Sequence, residues 1–214
     1  MLYYPWTCWT HNGRQDGRLS VVAPATGAAV SLADAKLHLR VDHDDEDDYI
    51  EGLVEAATAE IDSPRGWLGR SLITRTLRLT LDSRPPHTVH LPGVPVASIN
   101  SVEYRDRGGN LQTVDPADYE ADLTAEPALL WPSRDGSLCR GSWPDDMAAT
   151  DPDLFRVEYD AGYGDADTDV PRIIRQWLLT RIGDMYRDRE GTIIGAIATQ
   201  LTHVERALDN MRVR

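Results

Sequence analysis

The spacing of apolar residues changes twice along the chain and divides it into helical and strand-like parts. Between residues 31 and 61 apolar residues recur every three or four positions, which predicts two amphipathic helices. Between residues 71 and 160 apolar and polar residues alternate in short runs, which predicts strands, with a hairpin turn at residues 107–110. Helical spacing returns after Pro171. The pattern predicts an α+β fold in which a small bundle of N- and C-terminal helices carries an inserted antiparallel β-rich domain.

The predicted helices have recognisable starts and apolar faces. Ser31 can cap the first helix, and the acidic residues 44–48 suit the first turn of the second, where free N–H groups favour negative charge. The apolar stripe of the second helix is Ile50, Leu53, Val54, Ala57 and Ile61, and that of a third helix is Ile174, Trp177, Leu178, Ile182 and Met185. Neither stripe can be buried alone, so these two helices are expected to pack together.

These elements divide the chain into five segments. Residues 1–30 form an N-terminal extension, which is predicted to be irregular because glycine and proline interrupt it. The helical bundle comprises residues 31–70 and 161–190, and the β-rich insert comprises residues 71–160. Residues 191–214 form a C-terminal arm or helix.

Composition is typical of a folded globular protein. Of 214 residues, 41% are hydrophobic and 27% are charged. No apolar run approaches the length that spans a bilayer, and the N-terminus lacks the pattern of a signal peptide, so we expect folding in a cytoplasm and no membrane contact. Cys8 and Cys139 are then expected to be unpaired thiols.

Charge is unevenly distributed along the chain. The net charge of −13 argues against wrapping nucleic acid, which requires clustered basic residues. Residues 41–63 contain ten acids and no lysine or arginine, whereas residues 170–214 contain eight arginines. This asymmetry either attracts one subunit to the next or marks solvated faces without a partner.

Recognised catalytic motifs are absent from the sequence, which has no glycine-rich phosphate loop, no nucleophile elbow and no HExxH. Cys8 and His11 have metal-like spacing, but no second pair completes a zinc site. Asp165, Asp167 and Asp169 resemble the start of a calcium loop that lacks the required glycine and glutamate. The sequence therefore predicts no catalytic residue, no metal site and no cofactor.

The acidic residues 44–48 leave one enzymatic alternative open. They could bind a divalent metal ion in a metal-dependent nucleic-acid-processing enzyme. Contiguous acids at a helix start fan outwards, however, whereas metal sites gather ligands from separate segments, so helix capping is favoured. A stand-alone binding module is a third interpretation.

Several segments resemble one protein family in their order and spacing. They are residues 31–50, with the helix start and the acidic run, and residues 69–76, 102–106, 115–119, 157–164 and 170–190. Together they resemble the head–tail connector (adaptor) proteins of long-tailed phages, prophages and gene transfer agents, and the resemblance extends over about residues 31–212.

The resemblance implies a structural subunit in the neck of a virion, assembled in the cytoplasm of a bacterial host. It implies a homo-oligomeric ring of twelve subunits that binds the portal protein on one side and a stopper or tail-completion protein on the other. DNA would pass through the lumen without specific binding, because an acidic wall repels phosphate.

Candidate partner-binding residues lie at both ends of the chain. The predicted final helix presents an apolar stripe with nearby arginines, and the extension carries two tryptophans; the residues are Leu201, Val204, Arg206, Leu208, Met211, Arg212, Arg214, Trp6 and Trp9. A narrow helical stripe of this kind fits a groove on a partner. The alternative is that the final helix completes its own bundle.

Overall fold

The computed structural model describes residues 3–10, 13–62, 66–134, 141–189 and 208–213, with side chains from residue 17 onward. Among these residues no helix is both long enough and apolar enough to cross a membrane. The described ranges contain three α-helices, two short 3-10 turns and nine strands that pair in an antiparallel manner. The predicted α+β fold class is confirmed.

The chain divides into two compact units, each built from two separate stretches of sequence. One unit, here called the β unit, combines residues 1–25 with residues 74–162. The other, the helical unit, combines residues 26–73 with residues 163–214. Each unit therefore closes only when the chain returns to it.

The β unit contains two antiparallel sheets. The strands are β1 (Tyr3–Thr10), β2 (Gly13–Ala23), β3 (Arg75–Ser83), β4 (Val89–Leu91), β5 (Val96–Arg105), β6 (Leu111–Thr113), β7 (Tyr119–Asp122), β8 (Ala128–Pro132) and β9 (Thr150–Ala161). The larger sheet has the order β1-β2-β3-β9-β5-β6, and the smaller has the order β4-β8-β7. The predicted hairpin at residues 107–110 is confirmed, because it joins β5 to β6.

Alternating side chains of the larger sheet form the core of the β unit. Leu77 and Leu79 of β3 and Val157 and Tyr159 of β9 are fully buried. The Tyr159 hydroxyl donates a hydrogen bond to the Pro92 carbonyl at 2.7 Å, and burial raises the pKa of Tyr159 well above its usual range. The one polar atom of this large side chain is thus satisfied inside the core.

The prediction that residues 1–30 are irregular is wrong for the greater part of that segment. β1 and β2 form a hairpin, and β2 adds to the larger sheet by pairing with β3. Gly17 does not interrupt the strand. A Cβ atom at this position would lie 2.8 Å from Leu79 Cδ1 and 2.9 Å from Leu81 Cδ2, so glycine permits the close approach of the two strands.

The helical unit contains α1 (Leu32–Leu39), α2 (Asp47–Ile61) and α3 (Arg172–Arg187). Ser31 caps α1 as predicted, since its Oγ accepts a hydrogen bond from the Asp34 N–H at 3.2 Å. The predicted stripes are confirmed, with Leu53 and Met185 only half-buried; the buried residues are Ile50, Val54, Ala57, Ile61, Ile174, Trp177, Leu178 and Ile182. α2 and α3 pack on each other through these faces.

We expect Trp177→Ala to lower the free energy of unfolding by about 3–5 kcal/mol, because it removes a buried aromatic side chain and leaves a cavity. Trp177 is 8% exposed, and its ring packs edge-on against Trp67 with centroids 6.3 Å apart. Chemical denaturation is the measurement. The matched control is Gln176→Ala on the exposed face of the same helix, expected within about 0.5 kcal/mol of wild type. Equal stability of Trp177→Ala and wild type would contradict the packing described.

Candidate functional site

The acidic run before and within α2 makes ion pairs within its own chain. Lys36 of α1, the only lysine in the sequence, donates hydrogen bonds from Nζ to Asp44 and Asp47, each at 2.6 Å. The hydrogen bond from Lys36 holds the pKa of Asp44 below its usual value, and the same pairing raises the pKa of Lys36. These two carboxylates therefore serve as anchors for α1.

Glu46 is the centre of a second cluster, here called the Glu46 cluster, which consists of Glu46, Tyr49, Tyr186 and Arg189. Glu46 accepts hydrogen bonds from the Tyr186 hydroxyl and from Arg189 Nη2, the latter at 2.8 Å. The Arg189 guanidinium carbon lies 4.7 Å from the ring centroid of Tyr49 and 4.6 Å from that of Tyr186. The cluster joins the start of α2 to the last turn of α3 and to Arg189, which follows that helix.

The Glu46 cluster shifts the protonation of its own members. The hydrogen bond from Tyr186, with that from Arg189, lowers the pKa of Glu46 below its ordinary value of 4.5. The same carboxylate raises the pKa of Tyr186. Both shifts favour the charged carboxylate and the neutral phenol, which are the forms that make these contacts.

Two further ion pairs connect α3 to the N-terminal helices. Arg181 binds Glu60 of α2 through Nε and Nη2, with distances of 2.7–3.1 Å. Arg175 pairs with Asp34 of α1. Together with Arg189, these arginines pair with acids at the N-terminal helices. Part of the acidic charge of the N-terminal part and of the basic charge of the C-terminal part is therefore neutralised inside one helical unit.

The candidate metal sites of the sequence differ in what the structure shows of them. Asp169 accepts a hydrogen bond from the Ala166 N–H at 3.1 Å, and Asp167 lies 3.7 Å from Arg175. Within the described ranges no group of three or more His, Cys, Asp or Glu residues could hold a metal ion. The Cys8 and His11 side chains lie outside the described residues.

Part of the predicted partner-binding set is visible near the C-terminus. Leu208 is fully buried, Met211 is half-buried and Arg212 is exposed. The Met211 carbonyl accepts a hydrogen bond from Arg70 Nε, and the Val213 N–H donates one to the Leu68 carbonyl at 3.1 Å. Residues 208–213 are therefore seated on the segment that follows α2, in the same helical unit.

The other predicted partner-binding residues are not placed with their side chains. Leu201, Val204, Arg206 and Arg214 lie outside the described residues. Trp6 and Trp9 belong to β1, where Trp6 pairs with Gly17 and Trp9 with Arg14 through the backbone, and their side chains are outside the described part of the chain. Their role in partner binding stays a prediction.

The residues that hold this region together are not among those that the sequence predicts. They are Lys36, Arg70, Tyr186 and Arg189. A lone lysine eight residues before an acidic run was the available indication for Lys36, because the intervening loop is short enough for the two to meet. Nothing in the spacing indicated that Arg70 meets a carbonyl group 141 residues later.

Part of the N-terminal half of the chain matches a known family. Residues 29–102 match the family described as phage gp6-like head-tail connector protein. The resemblance seen in the sequence is confirmed for that part of the chain.

The fold is similar to those of chains from gene transfer agent (GTA) particles. A chain from the neck of an empty GTA particle, computed with C6 symmetry, has a TM-score of 0.65 and 23% identity. A chain from the virion of a native GTA particle has a TM-score of 0.66 and 23% identity, and one from a native neck computed with C12 symmetry has 0.64 and 19%. Each match covers 92% of this chain and 95% of the other. No curated protein sequence matches the chain.

We expect Glu46→Gln to lower stability at neutral pH and to weaken the loss of stability in acid. The folded-state pKa of Glu46 lies below its ordinary value of 4.5, so its contribution is fully present above that pH and is lost as the pH falls through the folded value. The measurement is denaturation of both proteins from about pH 3, below the ordinary pKa of a glutamate, to about pH 7, well above it. A stability difference that widens in acid would contradict the assignment.

Proposed function

We propose that this protein is a connector subunit that forms a ring in the neck of a phage-like particle, between the portal of the head and the stopper or tail. The observation that carries the proposal is the match of residues 29–102 to the head-tail connector family. The similarity of the fold to neck chains over 92% of the sequence supports it.

A closed ring is the assembly that this function requires. The relatives come from necks computed with C6 and C12 symmetry, which supports a ring and is compatible with twelve subunits. A ring of identical chains needs two different, mutually complementary surfaces on each subunit. The proposed twelvefold ring would be assembled in the cytoplasm of a bacterial host.

The charge of the chain suits a channel through which DNA passes without binding. The net charge is −13, and Asp44 and Asp45 have side chains that are 90% and 95% exposed. Acidic side chains along a lumen repel phosphate and so prevent the counterion release that drives nucleic-acid binding. Non-specific passage of DNA is therefore the proposed relation to nucleic acid.

The enzymatic alternative has less support from the geometry. Asp44 and Asp47 are held by Lys36, and Glu46 is held by Tyr186 and Arg189. Each of these carboxylates would have to leave a cationic or hydroxyl partner before it could bind a metal ion. Helix anchoring explains the acidic run without any such change.

We expect cells that lack this chain to produce DNA-filled heads without tails, because the head would have no surface on which a tail can dock. Electron microscopy of the particles is the measurement, and restoration by the wild-type chain is the control. With magnesium, the wild-type chain and the triple variant Asp44→Asn, Asp45→Asn, Asp47→Asn should both leave DNA uncleaved, since these three acids have no catalytic task. Magnesium-dependent DNA cleavage that is lost in the triple variant would support the enzyme instead.

We further propose that the C-terminal segment, including Leu201, Val204 and Arg206, contributes to binding the portal or a neighbouring subunit. Deletion of residues 200–214 separates this role from bundle completion. Binding to a partner predicts a folded chain that no longer joins heads to tails. Bundle completion predicts a lower melting temperature of the isolated subunit, and the burial of Leu208 leads us to expect some decrease. An unchanged melting temperature with normal assembly would exclude both roles.

A further inference from the structure

The acids of α2 fall into two groups that differ in whether they have a cationic partner. Glu60, on the side of α2 that meets α3, pairs with Arg181. Asp48, Glu51 and Glu55 lie on the opposite, exposed side of the helix, and they make no ion pair with any residue in the described ranges. Like charges spaced three and four residues apart repel each other on a helix. No cation among the described residues offsets this repulsion on the outer face of α2.

α3 shows the matching division among its basic residues. Arg175 and Arg181 face the N-terminal helices and are paired with their acids. Arg172 is exposed and makes no ion pair with another described residue. It stands next to Ile173, whose side chain is 40% exposed although most apolar residues of α3 are buried. The outer face of α3 thus presents a cation beside an uncovered apolar side chain.

The shape of the outer face of α2 suits such a side chain. Gly52, Ala56 and Ala59 lie exposed beside the acids, and a Cβ atom at Gly52 would meet no atom within 4 Å. Small residues let a neighbouring helix approach closely, so a branched side chain can enter between them. Such a contact would cover Ile173 and place Arg172 near Glu51 and Glu55.

We propose that the outer face of α2 on one subunit docks against the start of α3 on a second copy of the same chain. Ile173 of one copy packs over Gly52 and Ala56 of the next, and Arg172 pairs with Glu51 or Glu55. The two faces differ, so the contact is heterologous and its repetition generates a ring. Acids of α2 then pair with an arginine of α3 between neighbouring subunits, as they do inside each helical unit. This inference rests on the proposed connector function, which supplies the ring.

Disulfide cross-linking in particles tests the contact. In a chain with Cys8→Ser and Cys139→Ser, the pair Ile173→Cys and Ala56→Cys places one thiol on each proposed face. Oxidation of particles that contain this chain should give a ladder of covalent multimers on a non-reducing gel. The chain with Ile173→Cys alone should stay monomeric, because a heterologous contact brings unlike positions together.

The matched control is the pair Leu37→Cys and Ala56→Cys. Leu37, on α1, is 78% exposed and so at least as accessible to oxidation as Ile173, but it lies outside the proposed contact. The contact is overturned if the chain with Ile173→Cys and Ala56→Cys is incorporated into particles but gives no ladder on oxidation. A dimer from Ile173→Cys alone, or an equal ladder from the Leu37 pair, also overturns it. Absence of the wild-type chain from the necks of particles would overturn the proposed function itself.

Charge reversal gives an independent measurement should the cysteine variants fail to fold. Glu51→Arg with Glu55→Arg, and separately Arg172→Glu, should each reduce incorporation of the chain into particles severalfold. All three changes together should restore it, because the attraction is re-established with opposite sign. Asp145→Arg with Asp151→Arg in the β unit changes the net charge as Glu51→Arg with Glu55→Arg does and should have no effect. Failure of the combined variant to recover, when its isolated chain is folded by circular dichroism, contradicts the proposed pairing.

Discussion

The mutual burial of α2 and α3 is the constraint on which the helical unit depends. Each helix has 15 or 16 residues, a length at which an isolated helix is only marginally stable, and each has an apolar face that needs the other. The two faces are separated by more than a hundred residues of sequence. The chain must therefore leave the unit and come back. The pairing of Arg75 with Ala161 in the β3–β9 ladder meets this need, because it places the two ends of the β insert side by side.

Electrostatics then distinguishes the sides of the helices. The acids of α1 and α2 that are close to α3 meet Arg175, Arg181 and Arg189, and Lys36 binds the loop between α1 and α2. Most of these groups are partly exposed, so each pair contributes little to stability by itself. Their value lies in orientation, since they fix which side of each helix is turned to the unit and which is left outside. In the proposed ring, the charges left outside would give each contact its direction.

Periodicity predicted most of the fold because burial in this protein follows regular patterns. The stripes of α2 and α3, the Ser31 cap and the hairpin at residues 107–110 all depend on residues close together in sequence. The β1–β2 hairpin escaped prediction because its place depends on contact with β3, and Gly17 resembles a turn signal when β3 is not considered. The Glu46 cluster escaped for the same reason: Glu46 and Arg189 are 143 residues apart, and composition carries no information on which acid meets which arginine.

The discontinuous helical unit has a consequence for how the protein is made. α2 leaves the ribosome well before α3, and about 110 residues separate Ile61 from Ile174. At about 5–20 residues per second, translation of that stretch takes roughly 6–20 seconds. Throughout this interval the apolar face of α2 is without its native partner. The β unit, in contrast, has all of its strands once residue 161 has emerged, before α3 is made. The apolar face of the nascent α2 is thus open to a chaperone at the ribosome during this interval.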